Sequence, residues 1–140
     1  MANEVGVRFS NPASLPTFGG FSQIAEVLPG GRLILISGQV GVEKGGELIR
    51  PNDFRAQLIQ TFQNLQNALE AVGATFRDVV KLNYYCMDEV SQDRLDLVRQ
   101  VRDQFVNVDA PPAATFVFVC RLARPEWLIE IEAMAVVRDS

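Results

Sequence analysis

The sequence predicts an α+β fold in which two amphipathic helices lie on one face of a sheet of six strands. Three observations predict it. Short apolar runs rich in β-branched and aromatic residues recur between Gly/Pro punctuation. Two segments instead repeat their apolar residues at steps of three and four, the helical period. The 140 residues, 48% hydrophobic and 21% charged, match the usual size and balance of one globular domain. The order that follows is β-β-β-α-β-α-β-β, as one domain over residues 1–140.

The elements follow along the chain. The first twenty residues carry Pro12, Pro16, Gly19 and Gly20, and read as a short edge strand followed by an irregular loop. Gln23 to Leu28 and Arg32 to Val42 are apolar strands around Pro29-Gly30-Gly31, a turn signal that suits a hairpin. Gly45-Gly46 marks another turn. A helix begins after Asn52-Asp53, either of which can cap it by accepting a backbone N–H. Its stripe is Phe54, Leu58, Phe62, Leu65, Leu69 and Val72, and Gly73 stands at the left-handed position past its end. Gln57, Gln60, Gln63, Asn64, Gln66 and Asn67 read as its solvated face.

Asp78 to Met87 is a strand. Ser91 caps a second helix with the stripe Leu95, Val98, Val101 or Arg102, and Phe105. Pro111-Pro112 ends helical structure. Ala113 to Leu122 and Trp127 to Val137 are two long strands, with Ala-Arg-Pro-Glu as a hairpin loop between them. Two helices cover only one face of such a sheet. The other face exposes apolar residues of the 32–42 strand, so the chain is expected to close on that face as a homo-oligomer.

Composition narrows the chemistry. Thirteen basic and seventeen acidic residues give a net charge of −4, and the basic residues are scattered singly. A phosphate backbone calls for a dense Lys/Arg surface, so the charge argues against nucleic acid as a partner. With no histidine, neither a Ser-His-Asp nor a Cys-His arrangement can be built, and no metal site is expected. Cys86 and Cys120 lie in apolar runs far apart and read as buried free thiols of a reducing cytoplasm. No signal peptide is visible, and no apolar run approaches the ~20 residues of a spanning helix. The expected location is cytoplasmic, with no membrane partner.

What remains is the last strand. Period two puts Glu130 and Glu132 on one side of it and Ile129 and Ile131 on the other. A carboxylate in so apolar a strand either meets water or faces a cleft, where desolvation fits it for acid–base work near neutral pH. Gly38, inside the third strand, reads as a place where backbone or ligand approaches closely. Lys81, Asn83 and Tyr85, at period two, read as polar surface or interface groups.

Taken in order, the segments resemble the YjgF/RidA family, also called the reactive-intermediate deaminase or L-PSP family. The resemblance runs from about Phe21 to Val136. It is carried by Phe21-Ser-Gln23, Ile36-Ser37-Gly38-Gln39-Val40, Gly46-Glu47-Leu48, Gln57, Leu69-Glu-Ala-Val-Gly73 and Asp78-Val-Val-Lys81. Pro112-Ala113, Val119-Cys-Arg121-Leu122 and Ile129-Glu130-Ile-Glu132-Ala133 complete it. It implies a chorismate-mutase-like fold with a mixed sheet, and a homotrimer with small-molecule clefts between subunits. It implies hydrolysis of 2-aminoacrylate-type enamines or their imines to 2-keto acids, with release of ammonia and no cofactor.

The resemblance maps onto the site unevenly. Gly38, whose N–H can meet a carboxylate, and Glu130, which would orient the water, match the family pattern. Ala114 stands where deaminating members carry a carboxylate-clamping arginine, Phe116 where they carry a cysteine, and Phe21 where they carry a tyrosine. All three changes make the cleft more apolar. The sequence therefore points to an enamine/imine hydrolase for a substrate other than 2-aminoacrylate, such as an aromatic one, with Phe21, Phe116 and Trp127 as its apolar wall. Arg121 and Arg124 are candidates for the missing charge. A non-catalytic ligand-binding or regulatory trimer is the alternative, and the endoribonuclease or translation-inhibitor role of some relatives ranks last.

Overall fold

The computed structural model describes residues 6–16 and 19–138. The extreme N-terminus, on which the expectation of no signal peptide rests, lies outside them, as do two residues of the loop expected before Gly20. Strands β1 (Val7–Ser10), β2 (Ile24–Val27) and β3 (Gly31–Gln39) precede helix α1 (Phe54–Ala71). Strand β4 (Val79–Met87), helix α2 (Leu95–Arg102), and strands β5 (Ala113–Val119) and β6 (Ile129–Arg138) follow. None of the described helices is long and apolar enough to cross a membrane.

The six strands hydrogen-bond as an antiparallel β1-β2 ribbon and a four-stranded sheet in the order β3-β6-β4-β5. β6 is antiparallel to both its neighbours, and β4 and β5 run parallel. The two hairpins suggested by the turn signals are not made. Gly30 does take the left-handed φ of 103° that a turn there requires, but β2 pairs back to β1, with Val7 opposite Val27. β6 inserts between β3 and β4, where Ile129, Ile131 and Ala135 become fully buried. A turn signal is local, whereas the strand partner is chosen by which pairing buries most apolar surface. The parallel β4-β5 pair needs a crossover, and α2 supplies it.

α1 is capped by Asp53, whose carboxylate accepts from Ala56 N–H at 3.0 Å, and Gly73 beyond its end has φ 76°. Phe54, Leu58, Phe62, Leu65 and Leu69 are buried against the sheet. Phe62 is the centre of an aromatic cluster, 5.2 Å from the Phe105 ring and 6.3 Å from Tyr84. Gln57 is not surface. It is fully buried, donates to the carbonyls of Arg50 (3.1 Å) and Glu126 (3.3 Å), and accepts from Leu128 N–H at 2.9 Å. It flanks Leu58 on the stripe, so the incoming β6 loop packs over it. Asn64 likewise turns inward and donates to the carbonyls of Val40 and Val42.

Both helices lie on one face of the four-stranded sheet, as the pattern predicts. Ile34, Ile36, Leu82, Tyr84, Ile129, Ile131 and Ala133 pack with them in the core. Alternation sends their neighbours to the other face. There Leu33 is 61% exposed and Leu35 67%, and Met134 and Val117 are also exposed. Of the cysteines, Cys86 is buried as expected, but Cys120 is exposed. It sits just past the end of β5, which is an edge strand and covers it with no neighbour.

Candidate functional site

Glu130 and Gly38 meet on the sheet face away from the helices. The β3-β6 pairing is regular to Ile36–Ala133 and resumes at Gln39–Ile131, and the irregularity between them lies beside Glu130. A Cβ at residue 38 would collide with the Glu130 carboxylate and lie 2.9 Å from its Cγ. Glycine is therefore what lets the carboxylate lie flat on the strand. Burial, and then the neighbouring Glu132, push the Glu130 carboxyl above the usual carboxylate range. Among the described residues no hydrogen bond to it is formed.

Glu132, one turn of the pleat away, is held by two donors. Asn83 Nδ2 and Tyr85 Oη each donate to its Oε2 at 2.9 Å. That bond is the main reason the Tyr85 phenol is pushed up. Lys81, the third of this period-two series, donates instead to Thr115 Oγ1 at 2.9 Å. The two carboxylates thus share a face but not a role: Glu132 is tied down, and Glu130 faces outward unpaired.

Phe21, Ala114 and Phe116 come together on the opposite, helix-bearing face. Ser22, almost fully buried, donates its N–H to Pro112 O at 3.1 Å and bridges Ala113, which sets Phe21 beside the start of β5. Ala114 and Phe116 alternate inward from β5, and Phe116 stacks on Tyr84 at 5.4 Å. With Leu95 and Val98 of α2 they line a cavity of ≈ 360 Å³. Arg102, the last residue of α2, reaches the same cavity.

Comparison with known proteins agrees with this architecture. A family model described as Endoribonuclease L-PSP matches residues 12–137. A RutC family protein of Pyrococcus horikoshii is 32% identical over 130 residues, 92% of this chain and 95% of that protein. The chain belongs to the YjgF/Rid (L-PSP) family. Its sheet of four strands backed by two helices is the chorismate-mutase-like fold of that family. A solved Rid-family structure, YyfB of Yersinia pestis, superposes with a TM-score of 0.82 at 36% identity, covering 94% of this chain and 99% of that one. A 2-iminobutanoate/2-iminopropanoate deaminase of Dermatophagoides farinae is 27% identical over 128 residues, 91% of this chain and 94% of that protein.

In this Rid-family chain the five sequence-predicted site residues fall into two groups rather than one. Gly38 and Glu130 are on one sheet face, and Phe21, Ala114 and Phe116 are on the other. In β4, Tyr84 packs in the core while Tyr85 lies opposite Glu130 in register, so the sheet itself separates the groups. Trp127 does not line the cavity; it packs near Arg124, whose guanidinium is 5.9 Å from its ring centre. Arg121 is exposed and its Nε donates to Leu122 O, so neither predicted arginine reaches the cavity.

Two cations of α2 do reach it, Arg99 and Arg102, and Arg102 was legible only as an arginine at a stripe position of the second helix. Its side chain is 15% exposed, its Nε donates to Asp103 at 2.8 Å, and its guanidinium lies against the Gly20 backbone. Among the described residues, no group of three or more His, Cys, Asp or Glu gathers as a metal site.

Proposed function

We propose that this chain hydrolyses an enamine or its imine tautomer in a cleft between subunits of a homotrimer. The observation that carries the reading is the separation of the two residue groups. A ligand that touches both Glu130 and the Phe21-Phe116 pocket needs one group from each of two chains. The exposed Leu33, Leu35 and Met134, on the same sheet face as Glu130, supply the apolar surface on which a second chain can close.

The chemistry asks little of such a cleft. A proton is delivered to the enamine carbon, giving the imine. Water then adds to the imine carbon, and the carbinolamine collapses to a 2-keto acid and ammonia. Glu130, unpaired and with its carboxyl pushed up, is suited to orient that water and take its proton. No cofactor enters the balance. The apolar lining and the alanine at 114 favour a substrate bulkier than 2-aminoacrylate. The deaminase name of the Dermatophagoides relative supports the reaction class.

The test is ammonia release from enamines generated in situ, from 2-aminoacrylate to aromatic ones, with and without the protein. Acceleration for an aromatic member is the expected result; none for any member counts against hydrolysis. The replacement of an arginine position by Ala114 favours the second reading, a non-catalytic ligand-binding trimer. Under that reading Glu130→Gln changes only affinity. RNA cleavage, which the family model's description names, is opposed by the net charge of −4.

A further inference from the structure

The aromatic cavity contains a polar end that the family pattern does not account for. Its lining is apolar except where Tyr84, Arg102 and Arg99 reach it; Arg99 is the more exposed of the two arginines and is paired with Asp96 at 2.8 Å. Tyr84 is 3% exposed, yet among the described residues its hydroxyl has no hydrogen-bond partner. A buried hydroxyl left unsatisfied costs roughly 1–3 kcal/mol, so its persistence is unexplained by packing alone. Burial pushes its pKa up, the charge of Arg102 pulls it down and that of Asp103 pushes it up again.

Arg102 is itself held in place. Among the described residues, its Nε donates to Asp103 at 2.8 Å and its terminal nitrogens make no hydrogen bond. Its two terminal nitrogens lie 2.7 and 2.8 Å from where a Cβ on Gly20 would stand. Gly20 has φ 88°, so the loop both needs glycine for its own turn and leaves room for the guanidinium. A half-buried fork of N–H donors beside an orphaned phenol is a site for a planar anion.

We propose that Arg102 and Tyr84 form a carboxylate-binding subsite, which holds the acid group of a ligand whose hydrophobic side chain lies against Phe21, Phe116 and Phe118. The subsite replaces, from α2, the charge absent at Ala114 on β5. It rests on the hydrolase reading only for the identity of the ligand as a 2-imino or 2-keto acid. Its size, ≈ 360 Å³, suits an aromatic side chain rather than a bare two-carbon one.

The probes are phenylpyruvate, the keto-acid form of such a ligand, and phenylacetone, which has the same ring and ketone but no carboxylate. Each is titrated calorimetrically into the full chain and its variants, with mass and melting temperature recorded. Arg102→Met is expected to weaken phenylpyruvate roughly ten- to hundredfold, the worth of a charged hydrogen bond, and to leave phenylacetone unchanged. Arg102→Lys should recover part of the loss. Tyr84→Phe should weaken phenylpyruvate severalfold without lowering the melting temperature, because the hydroxyl it removes has no hydrogen-bond partner among the described residues.

Equal weakening of both probes by Arg102→Met, unchanged phenylpyruvate affinity, or no phenylpyruvate binding by the native chain at millimolar concentration would each overturn the subsite. Its failure is separable from that of the hydrolase reading. Ammonia release with a KM indifferent to Arg102→Met leaves the hydrolase standing without the subsite. Arg102-dependent phenylpyruvate binding without ammonia release does the reverse.

Discussion

The Glu130 carboxylate occupies the space that any side chain at position 38 would need, so Gly38 and Glu130 are a matched pair across the β3-β6 ladder. The pairing explains why a glycine is tolerated inside a strand, where it ordinarily weakens the ladder. Among the described residues it also leaves the carboxylate without a hydrogen-bonding partner, next to a second carboxylate that Asn83 and Tyr85 hold fixed. The consequences can be measured.

Gly38→Ala should keep the fold and lose function. The colliding atoms are mostly the end of a flexible side chain, so the carboxylate swings aside and the backbone stays. Turnover should fall at least tenfold, with the melting temperature within a few degrees of the native protein. Unfolding of the variant, or native turnover with the carboxylate displaced, would each count against the pairing.

Glu130→Gln should abolish turnover and spare binding. Because the folded-state pKa of this carboxyl is raised, folding is favoured by its protonation. That stabilisation is complete below the unfolded value of about 4.3 and is lost as pH rises through the folded value. At neutral pH the glutamine variant should therefore melt slightly above the native chain, and the advantage should shrink on acidification. If the proposed hydrolysis is measured, the acidic limb of kcat/KM should lie above the ordinary glutamate value of about 4.3, since the reaction uses the carboxylate.

Ala114→Arg restores a guanidinium on β5. It should create or raise 2-aminoacrylate turnover by tenfold or more, read as ammonia release. Unchanged inactivity in a folded variant would mean that more than the clamp separates this chain from the deaminating members.

Gln57→Leu should destabilise the fold by about 2–4 kcal/mol, seen as a lower denaturation midpoint. The change leaves the Leu128 N–H and two carbonyls without their partner, and an unsatisfied buried group costs roughly 1–3 kcal/mol. A loss below about 0.5 kcal/mol would show that water replaces the amide.

Leu35→Glu, with the residue 67% exposed in one chain, should leave the protomer folded and convert the assembly to single chains in sedimentation. A native-sized oligomer carrying this change would place the subunit contact elsewhere.

Every strand and both helices were legible from period, because that signal is local, but the expected cap of the second helix was not: Ser91 makes no side-chain cap and α2 begins after Arg94. α1 shows this best, since its apolar stripe, cap and terminal glycine are all sequence features. The same reasoning placed Glu130 and Glu132 on one side of β6. Partner choice was not legible. The Pro29-Gly30-Gly31 turn suggested a β2-β3 hairpin, yet β3 pairs with the last strand of the chain. Gln57 reads as surface by type, but it is buried because the loop before β6 arrives over it and supplies two of its three hydrogen-bonding partners, the Glu126 carbonyl and the Leu128 N–H.

The sequence by itself determined the element order, the family, and the absence of histidine chemistry, for these depend on residue type and spacing alone. Only the tertiary structure decided that Gly38 and Glu130 lie on one sheet face and Phe21, Ala114 and Phe116 on the other. It alone also brought Arg102 to the cavity where Arg121 and Arg124 had been expected. The physical reason is common to both. Alternation along a strand assigns a side chain to a face only relative to its neighbours, while the core that packs on the sheet decides which face is which.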